Sequence, residues 1–205
     1  MHHQRCRKCE KSHTITILDP HGEHAIKCGA GPDRIAIHDG VVNYLASLLR
    51  RAGLDHTVEP RSTITKRKSR LADIATDSLY RKETTWLDVG ISYPHHPKTQ
   101  LTQVPADKDN CTAALAYMRD KHNNFKQYEQ NNLVKEGTVY RPVIFETIGA
   151  IPQETDDILD NIATNLALNI EQPKSKVRNS MNINIFTMLQ RANANAIISH
   201  YALRD

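Results

Sequence analysis

The sequence predicts an α/β layout: a mixed sheet flanked by helices, led by a small module rich in cysteine and histidine. Two observations predict the layout. Apolar residues recur at helical steps in four stretches, and four other stretches are short β-branched or alternating runs, in the order helix, three strands, helix, strand, two helices. A third observation predicts the module. Residues 1–32 gather Cys, His and Gly with little hydrophobic periodicity beyond Ile15, Ile17 and Leu18, too little to fold without a staple. The expected organisation is a module over 1–32, a core over 33–150, and a helical extension over 151–205 packed on that core. A chain of 205 residues suits one core with a small appendage.

A first helix is predicted over Asp33–Ala52, where Val41, Leu45, Leu48 and Ala52 form a stripe and Gly53 sits where a C-terminal cap belongs. Strands are predicted over His56–Glu59, Arg70–Asp77 and Thr85–Ser92, and a second helix over Thr112–Asn131. The β-branched run TVYRPVIFET, Thr138–Thr147, reads as a further strand closed by Gly149. Helices over Glu154–Ile170 and Asn179–Tyr201 finish the chain, joined by the polar turn EQPKSK. No internal repeat is visible.

Bulk properties exclude several classes. No apolar run approaches the roughly 20 residues of a membrane span, so no membrane partner is expected. The start, MHHQRCRKCE, lacks the apolar segment of a secretory signal, and the cysteine pair so near it reads as part of a longer protein. Charge is +4 overall, but Arg61, Lys66, Arg67, Lys68 and Arg70 form a basic run suited to phosphate contacts, and otherwise to a solvated loop.

Three of the four cysteines fall within the first 28 residues, among histidines, which favours a metal site in a reducing compartment over a disulfide framework. Cys6-x-x-Cys9 supplies two thiolates in a tight turn, and His24-x3-Cys28 follows. Such a Cys3His set satisfies tetrahedral zinc as a closed, structural site. His13 and His21 compete for the histidine position; the spacing of His24 to Cys28 favours His24.

The segment SRLADIATDSLYRKETTWLDVGISYP reads as two strands joined at a turn near Tyr80–Lys82. A turn centred between Tyr80 and Arg81 sets Asp73 opposite Asp88, with Cβ atoms about 5 Å apart. Carboxylates that close repel unless a proton or cation lies between them, and such a pair on an open pocket suits Mg²⁺. Leu87, Val89 and Ile91 would face the core; Asp88, Gly90 and Ser92 would share the other face, where Gly90 leaves room. The ordinary alternative is one aspartate at a strand end and one in solvent. On the second helix Ala114, Tyr117, Lys121, Phe125 and Tyr128 fall on one face, so Lys121 points inward or snorkels to an edge. Glu59 and Glu146 are further carboxylates at strand ends, for ligation or for structure. His38 lies on the stripe with Val41 and Leu45, the position of a core histidine, with a supporting contact to the active site as the lesser alternative.

Taken together, these residues resemble the restriction-endonuclease-like segment, of the PD-(D/E)xK kind, that follows reverse transcriptase in site-specific non-LTR retrotransposons and related proteins. The likeness runs over most of residues 6–150 through DPHGEHAIKC, Arg34 and His38, AGLDHTVEP, LADI, LDVGISYP, RDKHNNF and YRPVIFETIG. It implies a metal-dependent, DNA-nicking endonuclease. Asp73 and Asp88 would be its Mg²⁺- or Mn²⁺-binding acids, Lys121 its catalytic lysine and Glu59 an auxiliary acid. Cys6, Cys9, His24 and Cys28 would be the zinc set. Its expected partner is DNA, with RNA or a reverse-transcriptase domain of a longer parent as further candidates, and its expected location is the nucleus. The chain departs from the pattern in three places. Ala72 stands for the usual proline, Gly90 for the lysine that simpler members carry on the strand, and Phe125 for a common tyrosine. The lysine must therefore come from the helix, with Lys126 or Lys98 as substitutes for Lys121. The alternative is an inactive, zinc-containing, nucleic-acid-binding remnant.

Overall fold

The computed structural model describes residues 6, 22–28, 33–60, 71–80, 83–93, 111–131, 134 and 136–201. Within them the chain is mixed α/β. Its elements are α1 (Glu23–Lys27), α2 (Asp33–Arg51), β1 (Thr57–Val58), β2 (Ile74–Thr76), β3 (Thr84–Ser92), α3 (Thr112–Gln130), β4 (Thr138–Glu146), α4 (Gln153–Asn169) and α5 (Lys174–Tyr201).

The four strands lie side by side in chain order. β1 and β2 pair antiparallel, as do β2 and β3; β3 and β4 run parallel, joined by the crossover that contains α3. Ile74 pairs with Leu87, Ala75 with Trp86 and Thr76 with Thr85, the register that the turn near Tyr80 predicts. Pro142 sits inside β4, where its missing N–H is harmless because β4 pairs on only one side.

Alternation along β3 and β4 sorts the two faces. Leu87, Val89, Val143 and Phe145 join Ile74 in the main core with Leu45 and Leu49 of α2, Ile158 and Ile162 of α4, and Met181 and Ile185 of α5. On the opposite face, Trp86 and Tyr140 meet Phe125 of α3, and Ile144 meets Ala114 and Met118 of the same helix. Three helices thus cover one face and α3 covers the other.

Several boundaries differ from expectation, each for a local reason. The first two strands are shorter than predicted. Beyond β1, Glu59 takes φ +53 and its N–H donates to the Asp73 carbonyl at 2.7 Å. Before β2 the chain bends at Asp73, and Leu71 and Ala72 pack beside Trp86 instead of extending the ladder. α5 begins five residues early. The Pro173 carbonyl accepts from the N–H groups of Lys176 and Val177, so the predicted turn residues KSK become its first helical turn. The module expected over 1–32 is described only at Cys6 and from Gly22 to Cys28.

Phe145 is fully buried at the centre of the main core. Phe145→Ala is expected to lower unfolding free energy by about 3–5 kcal/mol, read from the shift in a urea denaturation midpoint.

Candidate functional site

Asp73, Asp88 and Lys121 line one cleft of about 1180 Å³, whose wall also includes His38, Tyr117 and Tyr140. Asp88 comes from the middle of β3 and turns toward α3, as its parity requires. Asp73 precedes β2 at the bend, opposite the same stretch of β3. Its carboxylate is almost wholly buried and accepts the Val89 N–H at 2.6 Å. The Lys121 ammonium reaches across from α3 to Asp88 Oδ2 at 2.7 Å and donates to the Val89 carbonyl at 3.1 Å. The backbone of Val89 therefore lies between Asp73 and Lys121, its N–H donating to the first and its C=O accepting from the second.

Gly90 makes that reach feasible. A Cβ there would lie 2.6 Å from both Ile144 Cδ1 and Tyr117 Cε1, and 3.1 Å from Lys121 Cε. Only a residue without a side chain lets α3 settle this close to β3. Lys121 is then bracketed by the Tyr117 ring, whose centre is 5.4 Å from Nζ.

Two further contacts hold the acids. The Tyr140 hydroxyl donates a short hydrogen bond to Asp88 Oδ2, its ring stacked on Phe125 with centres 4.3 Å apart. His38 is not a core histidine. Its Nε2 lies 3.1 Å from Asp73 Oδ2 and its Nδ1 3.0 Å from Asp39 Oδ1. The signal for Tyr140 was its place on the α3 face of β4, two residues before Pro142, which pairs with Asp88. For His38 the helix stripe favoured the core, and the structure realises the lesser alternative, a supporting contact to the site.

Burial raises the Asp88 carboxyl above its ordinary value; Lys121 and Tyr140 pull the other way, and the charge of Asp73 adds to the rise. Burial, and then the neighbouring Asp88, push the Tyr140 phenol upward, so it stays a donor at neutral pH. A divalent ion between the acids would oppose the rise at Asp88.

Other expected residues lie elsewhere. Glu59 is exposed and outside the cleft wall, although its backbone holds Asp73. Glu146 accepts the Ala114 N–H at 3.1 Å, fixing the first turn of α3 from the end of β4. Lys126 is exposed on α3. Cys9, His13, His21, Arg61, Lys66, Arg67, Lys68, Arg70 and Lys98 lie outside the described residues.

A second cluster lies near the N-terminus. Cys6, His24 and Cys28 place their ligand atoms within 4.8 Å of one another, a group able to hold a metal ion. The Sγ atoms of Cys6 and Cys28 are 4.0 Å apart. Two thiolates on one tetrahedral zinc, at ~2.3 Å each, stand about 3.8 Å apart, so the donor set fits that ion. His24 and Cys28 come together because α1 and the residue after it set them one helical turn apart.

No protein-family model matches the chain, and no curated protein matches it. Among the described residues, no helix is long and apolar enough to cross a membrane.

Gly90→Val is expected to push Tyr117 and Lys121 off β3 at a cost of about 1–3 kcal/mol. Denaturant unfolding measures the cost, and loss of Tyr117–Lys121 proximity by NMR would show which neighbours moved.

Proposed function

We propose that the chain is a metal-dependent DNA endonuclease domain of the PD-(D/E)xK kind, related to the nuclease segments of retrotransposon-type reverse-transcriptase proteins. One observation carries the reading: two acids from neighbouring β segments and a helix-borne lysine meet in one cleft, the lysine 2.7 Å from one acid.

The residues suit hard-cation chemistry. Asp73 and Asp88 offer carboxylate oxygens, the donors Mg²⁺ and Mn²⁺ prefer. When bound, such an ion polarises a phosphodiester and acidifies water. Lys121 Nζ is placed to donate to a phosphate oxygen as charge builds there. His38 and the Val89 N–H hold Asp73 in orientation, and Tyr140 does the same for Asp88. The Cys6–His24–Cys28 group would supply three of the four ligands of a structural zinc.

A second reading, the inactive nucleic-acid-binding remnant, is favoured by one feature of the same site. Both acids are already engaged by protein donors, Asp88 by Lys121 and Tyr140, Asp73 by His38 and Val89. A cation bound at the Oδ2 atom of either acid must displace some of these contacts.

Nicking of supercoiled plasmid in Mg²⁺ or Mn²⁺ separates the readings. The endonuclease is expected to nick, and Asp73→Asn, Asp88→Asn and Lys121→Ala are each expected to lower the rate by at least about 10²-fold with the circular dichroism spectrum retained. Unchanged nicking in either aspartate variant would sink the site. Salt-dependent DNA binding with no metal-dependent cleavage would favour the remnant.

A further inference from the structure

Both side-chain donors that reach Asp88 end on the same oxygen. Lys121 Nζ lies 2.7 Å from Oδ2, and the Tyr140 hydroxyl donates a short hydrogen bond to that atom. Oδ1 has no partner of either kind. Nor is it buried: among the described residues the buried side-chain atoms without a partner are Ser92 Oγ, Arg141 Nε, Thr147 Oγ1 and His200 Nε2. Oδ1 therefore opens into the cleft that Asp88 lines. One oxygen of the carboxylate is held by the protein and the other is left to solvent.

The hydroxyl is the firmer of the two donors. The Tyr140 ring is stacked on Phe125, with centres 4.3 Å apart and planes at 11°, and His122 closes on it edge to face at 5.8 Å. A ring packed in this way sets its hydroxyl at one point. Lys121 carries its ammonium on a flexible stem, although the Val89 carbonyl accepts from it at 3.1 Å. Tyr140 comes from β4 and Lys121 from α3, so two separate elements fix the rotation of the carboxylate. A divalent ion approaching from the cleft then meets one oxygen of Asp88. Mg²⁺ accepts single carboxylate oxygens and keeps several waters in its octahedral shell. Ca²⁺ gathers more oxygens and often takes both from one carboxylate.

We propose that Tyr140 is a specificity-determining residue for the divalent ion: by holding Asp88 Oδ2 it restricts Asp88 to coordination through Oδ1 alone, and so favours Mg²⁺ over Ca²⁺. The proposal rests on the reading of Asp73 and Asp88 as ligands of that ion. A hydroxyl that only braced the sheet would affect both ions alike.

Mn²⁺ binding to the full chain, followed by electron paramagnetic resonance with Mg²⁺ and Ca²⁺ as competitors, tests it independently of cleavage. Tyr140→Phe keeps the ring and removes the hydroxyl. It is expected to shift the ratio of Mg²⁺ to Ca²⁺ affinity toward Ca²⁺ by at least about threefold, with the circular dichroism spectrum retained. An unchanged ratio overturns the role of Tyr140. A second measurement needs no Tyr140 variant: the Mg²⁺-induced infrared difference of the wild-type chain, made with isotopically labelled aspartate. The part of it that Asp88→Asn removes is expected to show the wide separation of carboxylate stretches that one-oxygen coordination gives. The narrow separation of two-oxygen coordination overturns the proposal. A wild-type chain whose Mn²⁺ binding is absent, or untouched by Asp88→Asn, overturns the ligand reading itself, and the proposal with it.

Discussion

The close approach of α3 to β3 over Gly90 is the constraint on which the site depends. Lysine is a long side chain, but it spans from a covering helix to a carboxylate inside the sheet only when the two backbones lie unusually close. Ile144, Tyr117 and Lys121 fill the space that a Cβ at position 90 would take. The strand thus gives up a side chain so that the helix can deliver an amine. A lysine on the strand itself would need no such approach, which explains why glycine and helical lysine occur together here.

The same closeness creates an electrostatic problem and answers it. Asp73 is almost fully buried and Asp88 lies beside it in a half-closed cleft. Burial penalises both charges, and their mutual repulsion adds to the penalty. Lys121 neutralises one charge, the Tyr140 hydroxyl shares the same oxygen, and the Val89 backbone donates to Asp73 and accepts from Lys121. The backbone that carries these groups is set by the β3–β4 ladder and the α3 contact, so both acids are held on a rigid frame.

Much of this arrangement was legible in the chain. The β2–β3 register followed from one turn and the alternation of LDVGIS, and it brought Asp73 to Asp88 before any packing was known. The stripe of α3 identified Lys121 as a residue facing the sheet. Other features were hidden for physical reasons. His38 and Tyr140 reach the acids through tertiary contacts between elements far apart in sequence, which local periodicity does not encode. Glu146 was open to ligation or to a structural role, and the contact that shows the structural one is with a helical N–H 32 positions earlier, which local periodicity does not reveal. The start of α5 was masked by a run of polar residues whose first buried member is Val177.

The cleft also relates the two clusters. Its wall includes Ala25, Ile26 and Cys28 as well as Asp73, Asp88 and Lys121. α1 is only five residues long and contributes little apolar burial of its own, so its position depends on what holds it to α5. α5 in turn runs from the main core, at Val177 and Met181, to His200 beside His24. The packing of α1 on α5, tight enough that a Cβ at Gly22 would meet Ile197, therefore ties one wall of the cleft to the same core that fixes β3.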